Sequence, residues 1–262
     1  MNFEAIAQQI LNQTHLAIAG ENHRIVEIEF YYHNAEHPDP FTHCHPLQRT
    51  ENRWYFHRRG QSYRGGTFKG VDLTFGDDRA YGGILLRSLE QPDGNIVNGS
   101  CNCVNYILQR TNYETVAELD AAIGDRNVRD RNLPLFLQPA EMPERSVFAT
   151  ARIGLSLKRV RSHSDMPAYL LQPYRYLTAP QKISKGKIYL VLALHRQGRS
   201  LDEIQQLTKY PKIKLQQYFQ ACARGREGID ITPYYGKTLT ALDICQLYGI
   251  AQKSQNLSQI SN

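Results

Sequence analysis

Hydrophobic and polar residues change period several times along the chain, and each change marks an element. Phe3, Ile6, Ala7, Ile10 and Leu11 recur at the spacing of one helical face, which predicts an amphipathic helix over 3–19. From Arg24 to Tyr32 the period drops to two. Apolar and acidic residues alternate there, predicting a half-buried strand with Glu27, Glu29 and Tyr31 on one face. Residues 38–60 are crowded with prolines, histidines and arginines, and predict an ordered functional loop with no long regular element. Alternation returns at Val71–Phe75, Asp77-Asp78 make a turn, and 82–90 predicts a more buried strand. Residues 101–123 read as mostly helical, 125–145 as irregular, and 148–155 and 168–177 as short strands. This strand-rich mixture predicts one mixed α+β domain over 1–180.

The remaining residues read differently. A helix is expected over Lys187–Arg196, stopped by Gly198. Ser200 is placed to cap a second helix, with Glu203 closing a capping box. Thr208–Pro211 form a turn, and a third helix begins at Lys212. Three short helices with a tight turn between the last two predict a small all-helical, helix-turn-helix-like domain over 181–262. The competing reading is a helical cap on the first domain. Residues 252–262, rich in Gln, Ser and Asn, are expected to fray.

Composition narrows the class. With 41% hydrophobic residues the chain has ample core material. It lacks the run of about 18 apolar residues that a membrane span requires. Its start shows no basic region followed by an apolar stretch, so no signal peptide is expected. Five scattered cysteines suit reduced thiols and a cytoplasmic location, beside the nucleoid if the cell is bacterial. Charge is more informative than the net +6. Residues 1–180 hold 19 Lys+Arg against 20 Asp+Glu, whereas 181–262 hold 12 against 5. This asymmetry points to nucleic acid as a partner of the second segment, with Lys209, Lys212 and Lys214 as DNA contacts. A solvated basic surface is the bland alternative.

The chemically pointed residues lie between 24 and 90. His43, Cys44 and His45, with Cys101 and Cys103, invite a zinc site, but their spacing is too tight for ligands to converge, and no metal is expected. Residues 65–70 are glycine-rich yet lack the Gly-Lys-Ser/Thr ending of a phosphate loop, so no nucleotide cofactor is expected. What remains is a carboxylate on one strand, aromatics and a histidine on the next loop, and an arginine on a second strand. That set suits a base activating water beside a flat, stackable ligand. Glu29 and Arg87 as a purely structural ion pair is an equal reading on spacing alone.

Glu27-Ile28-Glu29-Phe30-Tyr31 resembles the Glu-Thr-Glu-Ala-Tyr strand of the alkyladenine (3-methyladenine) DNA glycosylases. Thr42-His43 is similar to that family's Ala-His, and Arg49–Phe56 to its Thr-Pro-Arg-Asn-x-x-Met-Phe, with Gly60 at a family glycine. Gly83–Glu90 resembles its Val-Leu-Ile-Arg-Ala-Leu-Glu, and Asn98-Gly99-Ser100 its Asn-Gly-Pro. Ala151–Leu155 resembles Pro-Arg-Ile-Gly-Ile, and Pro173–Leu177 Pro-Trp-Arg-Phe-Tyr. The motifs occur in family order across residues 24–177 and leave the basic segment uncovered.

The resemblance implies a monofunctional glycosylase, expected to act as a monomer without cofactor, that extrudes a base from DNA and hydrolyses its N-glycosidic bond. Glu29 would be the general base, and Arg87 would hold the water and orient Glu29. Tyr31 and His43 would bind the base. Thr50, Asn52 and Arg53 would face the DNA backbone. One departure stands out. The family's tyrosine-rich strand after Gly60 corresponds to Ser62–Gly70, where glycine replaces the second stacking tyrosine and Phe68 is the best remaining wedge. An opened pocket wall implies a target base bulkier than 3-methyladenine, as in repair or in defence against modified foreign DNA. A non-catalytic DNA-binding or regulatory protein is the alternative.

Overall fold

The computed structural model describes residues 1–161 and 165–260. In chain order the elements are α1 (Phe3–Gln13), β1 (Thr14–Ile18), β2 (Glu21–His33), β3 (Glu51–Phe56), β4 (Arg58–Arg59), β5 (Ser62–Tyr63), β6 (Val71–Phe75), β7 (Tyr81–Glu90) and β8 (Ile96–Asn98). They continue with α2 (Ser100–Thr111), α3 (Val116–Ile123), β9 (Leu135–Pro139), β10 (Phe148–Thr150), α4 (Met166–Leu170), β11 (Arg175–Leu177), α5 (Lys187–Arg196), α6 (Leu201–Thr208), α7 (Lys212–Glu227) and α8 (Ala241–Ile260). The chain is mixed α and β with a helical C-terminal region. No helix among the described residues is long and apolar enough to cross a membrane.

Two compact units form. The first comprises Met1–Ala149 and Tyr174–Lys185, the second Thr150–Pro173 and Gly186–Asn262. The division is therefore discontinuous, with 150–173 joining the helical unit, where a single boundary near 180 was expected.

The first unit is built on a nine-stranded sheet with the order β10-β11-β2-β7-β6-β3, β1 pairing with β2 and β9, and β8 with β7. α1 starts at Asn2, whose Oδ1 accepts a hydrogen bond from the Ala5 amide at 3.1 Å. It ends at Gln13, so the predicted helix over 3–19 is too long. Thr14–Ile18 is instead the first arm of a hairpin with β2. Its two turn residues, Ala19 (φ 49°) and Gly20 (φ 84°), both take positive φ, the requirement of a type I′ turn. An alanine there hides the usual Asn-Gly signal.

The expected loop over 38–60 also needs correction, because β3 lies within it. Asn52 sits at φ 58° and the register with β6 shifts between Glu51 and Trp54, which erases period-two alternation. β9 corrects the irregular reading of 125–145, pairing antiparallel with β1 from Thr14↔Pro139 to Ile18↔Leu135. Of the strands expected at 148–155 and 168–177, only β10 and β11 form, and Met166–Leu170 is helical. Ser62–Gly70 is no strand beyond β5; Gly66–Phe68 is a 3-10 turn.

The core lies on the α1 side of the sheet, where Ile28, Phe30, Ile84 and Leu86 are buried with Leu11 and Leu16. Phe3 stacks on Phe30 with ring centroids 4.7 Å apart. β2 is buried on both faces rather than half-buried, since Glu27 and Glu29 are as enclosed as Ile28. In the second unit the Ser200 capping box forms as read, α6 ends in Lys209 at φ 59°, and α7 follows Pro211. α8 runs through Ile260, across the stretch read as a frayed end, and 261–262 lie outside the described residues. α7 and α8 cross in close contact: a Cβ on Gly249 would lie 2.1 Å from the Cys222 carbonyl oxygen.

Candidate functional site

Strand register builds the site. Tyr55 pairs with Asp72, Asp72 with Leu85, Leu85 with Glu29, and Glu29 with Arg175, so the five form one row across β3, β6, β7, β2 and β11. Direct antiparallel partners point to the same face, so Glu29 and Asp72 share a face with β7 between them, about 10 Å apart at the Cα atoms. Register shifts on either side of Glu27 place Arg87 between the Ser88 and Leu86 rows. A bulge of this kind re-aims side chains.

At one end of the row lies a buried charge network. The Arg87 Nη1 donates to Glu29 Oε2 at 3.2 Å, and its Nε lies 3.6 Å from Glu27 Oε1. Arg175 Nε donates to the same Glu27 oxygen at 2.6 Å, and Ser88 Oγ donates to Glu27 Oε2. The Tyr31 hydroxyl donates to Glu29 Oε2 at 2.9 Å. Glu29 is 0% and Glu27 1% exposed. Burial alone would lower the Arg87 pKa, but Glu29 and then Glu27 outweigh it and raise it, so the guanidinium stays charged. Glu27 is thus neutralised largely by Arg175, leaving Arg87 nearer to Glu29.

At the other end, His57 Nε2 meets Asp72 Oδ1 at 2.7 Å, and Gln48 Nε2 donates to Asp72 Oδ2 at 3.1 Å. Gly83 makes room for them: a Cβ there would lie 2.5 Å from the Asp72 oxygen. His43 packs edge-on against His57, with centroids 4.3 Å apart, and His45 stacks on Tyr55 at 5.0 Å. His43 is exposed, with its ring edge-on to His57 and Tyr55. Burial, reinforced by His57, lowers its pKa to about 4. Burial, with Asp72 adding, pushes the Tyr55 hydroxyl up to about 12. Both are neutral at pH 7. Among the described residues no group of three or more His, Cys, Asp or Glu is arranged to hold a metal ion, and all five cysteines are free thiols.

The anticipated residues therefore fall in several places. Glu29, Arg87 and Tyr31 are in direct contact, whereas His43 stands at the far end of the row. Thr50 donates to the Leu47 carbonyl at 2.7 Å, and the Arg53 amide to Thr74 Oγ1 at 3.0 Å. Asn52 lines a cavity of about 750 Å³ with Ile6, Leu73 and Ile84, on the sheet face opposite Glu29. Phe68 is 70% exposed on its turn. Gly65 and Gly66 face open space, and a Cβ on either would meet nothing within 4 Å. Lys209 is exposed, Lys212 is ion-paired with Asp202, and the Lys214 ammonium lies 5.2 Å from the Tyr218 ring centroid. Sequence reading passed over Arg175, His57 and Asp72. The Pro-Tyr-Arg-Tyr-Leu motif holds Arg175, but only register brings it to Glu27.

No family model matches the chain. An uncharacterized protein of Acanthamoeba polyphaga mimivirus is 34% identical over 204 residues, spanning 72% of this chain and 91% of the viral protein. The chain belongs to one family with that viral protein. Membership adds no activity, because the viral relative is itself described only as uncharacterized. Function rests on the site.

Proposed function

We propose that the chain is a DNA glycosylase that extrudes a modified base and hydrolyses its N-glycosidic bond, leaving an abasic site. One observation carries the reading: Glu29 is held in a water-excluded site by Arg87 and capped by the half-buried Tyr31 hydroxyl. A carboxylate positioned in this way can take a proton from water as a general base, and a fixed guanidinium orients that water. Tyr31 is the movable member. Its swing away from Oε2 would admit water to the carboxylate and turn the ring toward an extruded base. Glu29 then takes a proton from water as the oxygen attacks C1′, the C1′–N bond breaks, and the base departs with the bonding electron pair. The motif resemblance over 24–177 supports the same assignment. The basic helical segment would add phosphate contacts.

A second reading, a DNA-binding protein without catalysis, is favoured by the complete enclosure of Glu29. The two separate on one experiment. DNAs carrying alkylated, deaminated and bulky modified bases are incubated with wild type and Glu29→Gln, and abasic sites are read after alkali. The glycosylase reading expects release from one class of base, reduced about 100-fold or more in Glu29→Gln. No release from any substrate, with both proteins binding DNA, would establish the second reading.

A further inference from the structure

The exposed face of α7 has a composition that phosphate contacts do not require. Ile213, Gln216, Gln217, Gln220 and Arg224 recur at helical spacing and are all exposed. Their opposite face is buried: Leu215, Tyr218, Ala221 and Cys222. Ile213 is 69% exposed at the helix start, one of few large apolar side chains left open. The face carries no acidic residue before Glu227. α6 and α7 are joined by Lys209, Tyr210 and Pro211, a turn of the length that sets a second helix into the major groove. The hinge is firm. Lys209 is in the left-handed region, the Lys187 ammonium donates to the Thr208 carbonyl at 3.0 Å, and Tyr210 packs edge-on against Tyr218 at 5.8 Å. Phe219 stacks on His195 of α5 at 4.0 Å, which fixes the roll of α7.

Glutamine reads adenine with a paired donor and acceptor at N6 and N7, and an aliphatic side chain contacts the thymine methyl. Lysines at the start of the helix attract phosphate without regard to sequence. Lys212 is already engaged by Asp202, so Lys209 and Lys214 are the available cations there.

We infer that α7 is a recognition helix that reads A·T-containing sequence in the major groove of duplex DNA through Ile213, Gln216, Gln217 and Gln220. The inference does not depend on base release, since it concerns binding by the helical unit.

The test uses the full chain carrying Glu29→Gln, so that no substrate is consumed. Random duplexes are selected by binding, then individual sequences are titrated across salt concentrations. Enrichment of a short motif containing A·T pairs is expected. Gln217→Ala or Gln220→Ala should reduce the preference for that motif over random DNA about tenfold. Lys214→Ala should instead weaken all sequences alike and lower the salt slope by about one. These side chains are exposed, so the variants keep the fold. Absence of any enriched motif, or a motif unmoved by both glutamine substitutions, would overturn the inference. A motif found by this variant, with the wild-type chain releasing no base from any substrate, would sustain it while ending the glycosylase reading.

Discussion

Arg175→Met isolates the charge network beneath Glu29. Arg175 and Glu27 are each 1% exposed in their side chains and meet at 2.6 Å. Removing one member of a buried pair leaves an uncompensated charge, at a cost of about 3–5 kcal/mol. Ser88 and Arg87 still face Glu27, so the lower end, about 3 kcal/mol, is expected. With a urea slope near 2–3 kcal/mol per molar, the midpoint should fall by about 1 M. Trp54, the single tryptophan, is buried in the same unit and donates to the Leu135 carbonyl at 3.0 Å, so its fluorescence reports this unit. Adding Glu27→Gln removes the orphaned charge. The double variant should therefore be more stable than the sum of the single effects by about 1–2 kcal/mol. A functional consequence follows, because Arg87 would be drawn from Glu29 toward the unpaired Glu27. On the proposed glycosylase reading, base release by Arg175→Met should drop, and Glu27→Gln in the same chain should restore part of it. A midpoint moved by less than about 0.3 M, or strictly additive variants, would refute the network as described.

Two further outcomes are expected. Gly249→Ala places a Cβ against the Cys222 carbonyl and the Arg226 amide, both backbone atoms that cannot yield unless α7 and α8 separate. A loss of about 2–3 kcal/mol is expected, seen as earlier helical melting by circular dichroism with the Trp54 transition unmoved, and unchanged melting would contradict the crossing. His15, His23, His43, His45 and His195 all have pKa values lowered from 6.5, in each case chiefly by burial, and His43 reaches about 4. Between about pH 4 and 6.5 the unfolded chain binds protons that the folded chain does not, so stability rises with pH across that window and is lost on acidification. Urea midpoints against pH, with histidine ring titrations by NMR, check this, and a His43 titration near 6.5 would count against its packing on His57 and Tyr55.

Much was legible in the chain before folding was considered. The helices α5, α6 and α7 follow from the Ser200–Glu203 capping box, the Gly198 stop and the Pro211 break, all signals spanning a few residues. β2 and β6 follow from alternation and β7 from its more apolar run, while Glu29, Arg87 and Tyr31 stand out by residue type together with the motif resemblance. β1 and β3 escaped, since an Ala-Gly turn and a bulge at Asn52 erase the local pattern, and pairing with distant strands overrides the helical periodicity that runs to residue 19.

Tertiary structure alone decided the composition of the site. Arg175 lies 148 residues from Glu27, and Asp72 joins the row of Glu29 only because β6, β7 and β2 align in that register. A shift of one residue would turn either side chain to the opposite face. Capping and periodicity are local properties that the chain carries on its own. The charge balance around Glu29 depends on which buried groups face one another, and only the packed sheet brings them together.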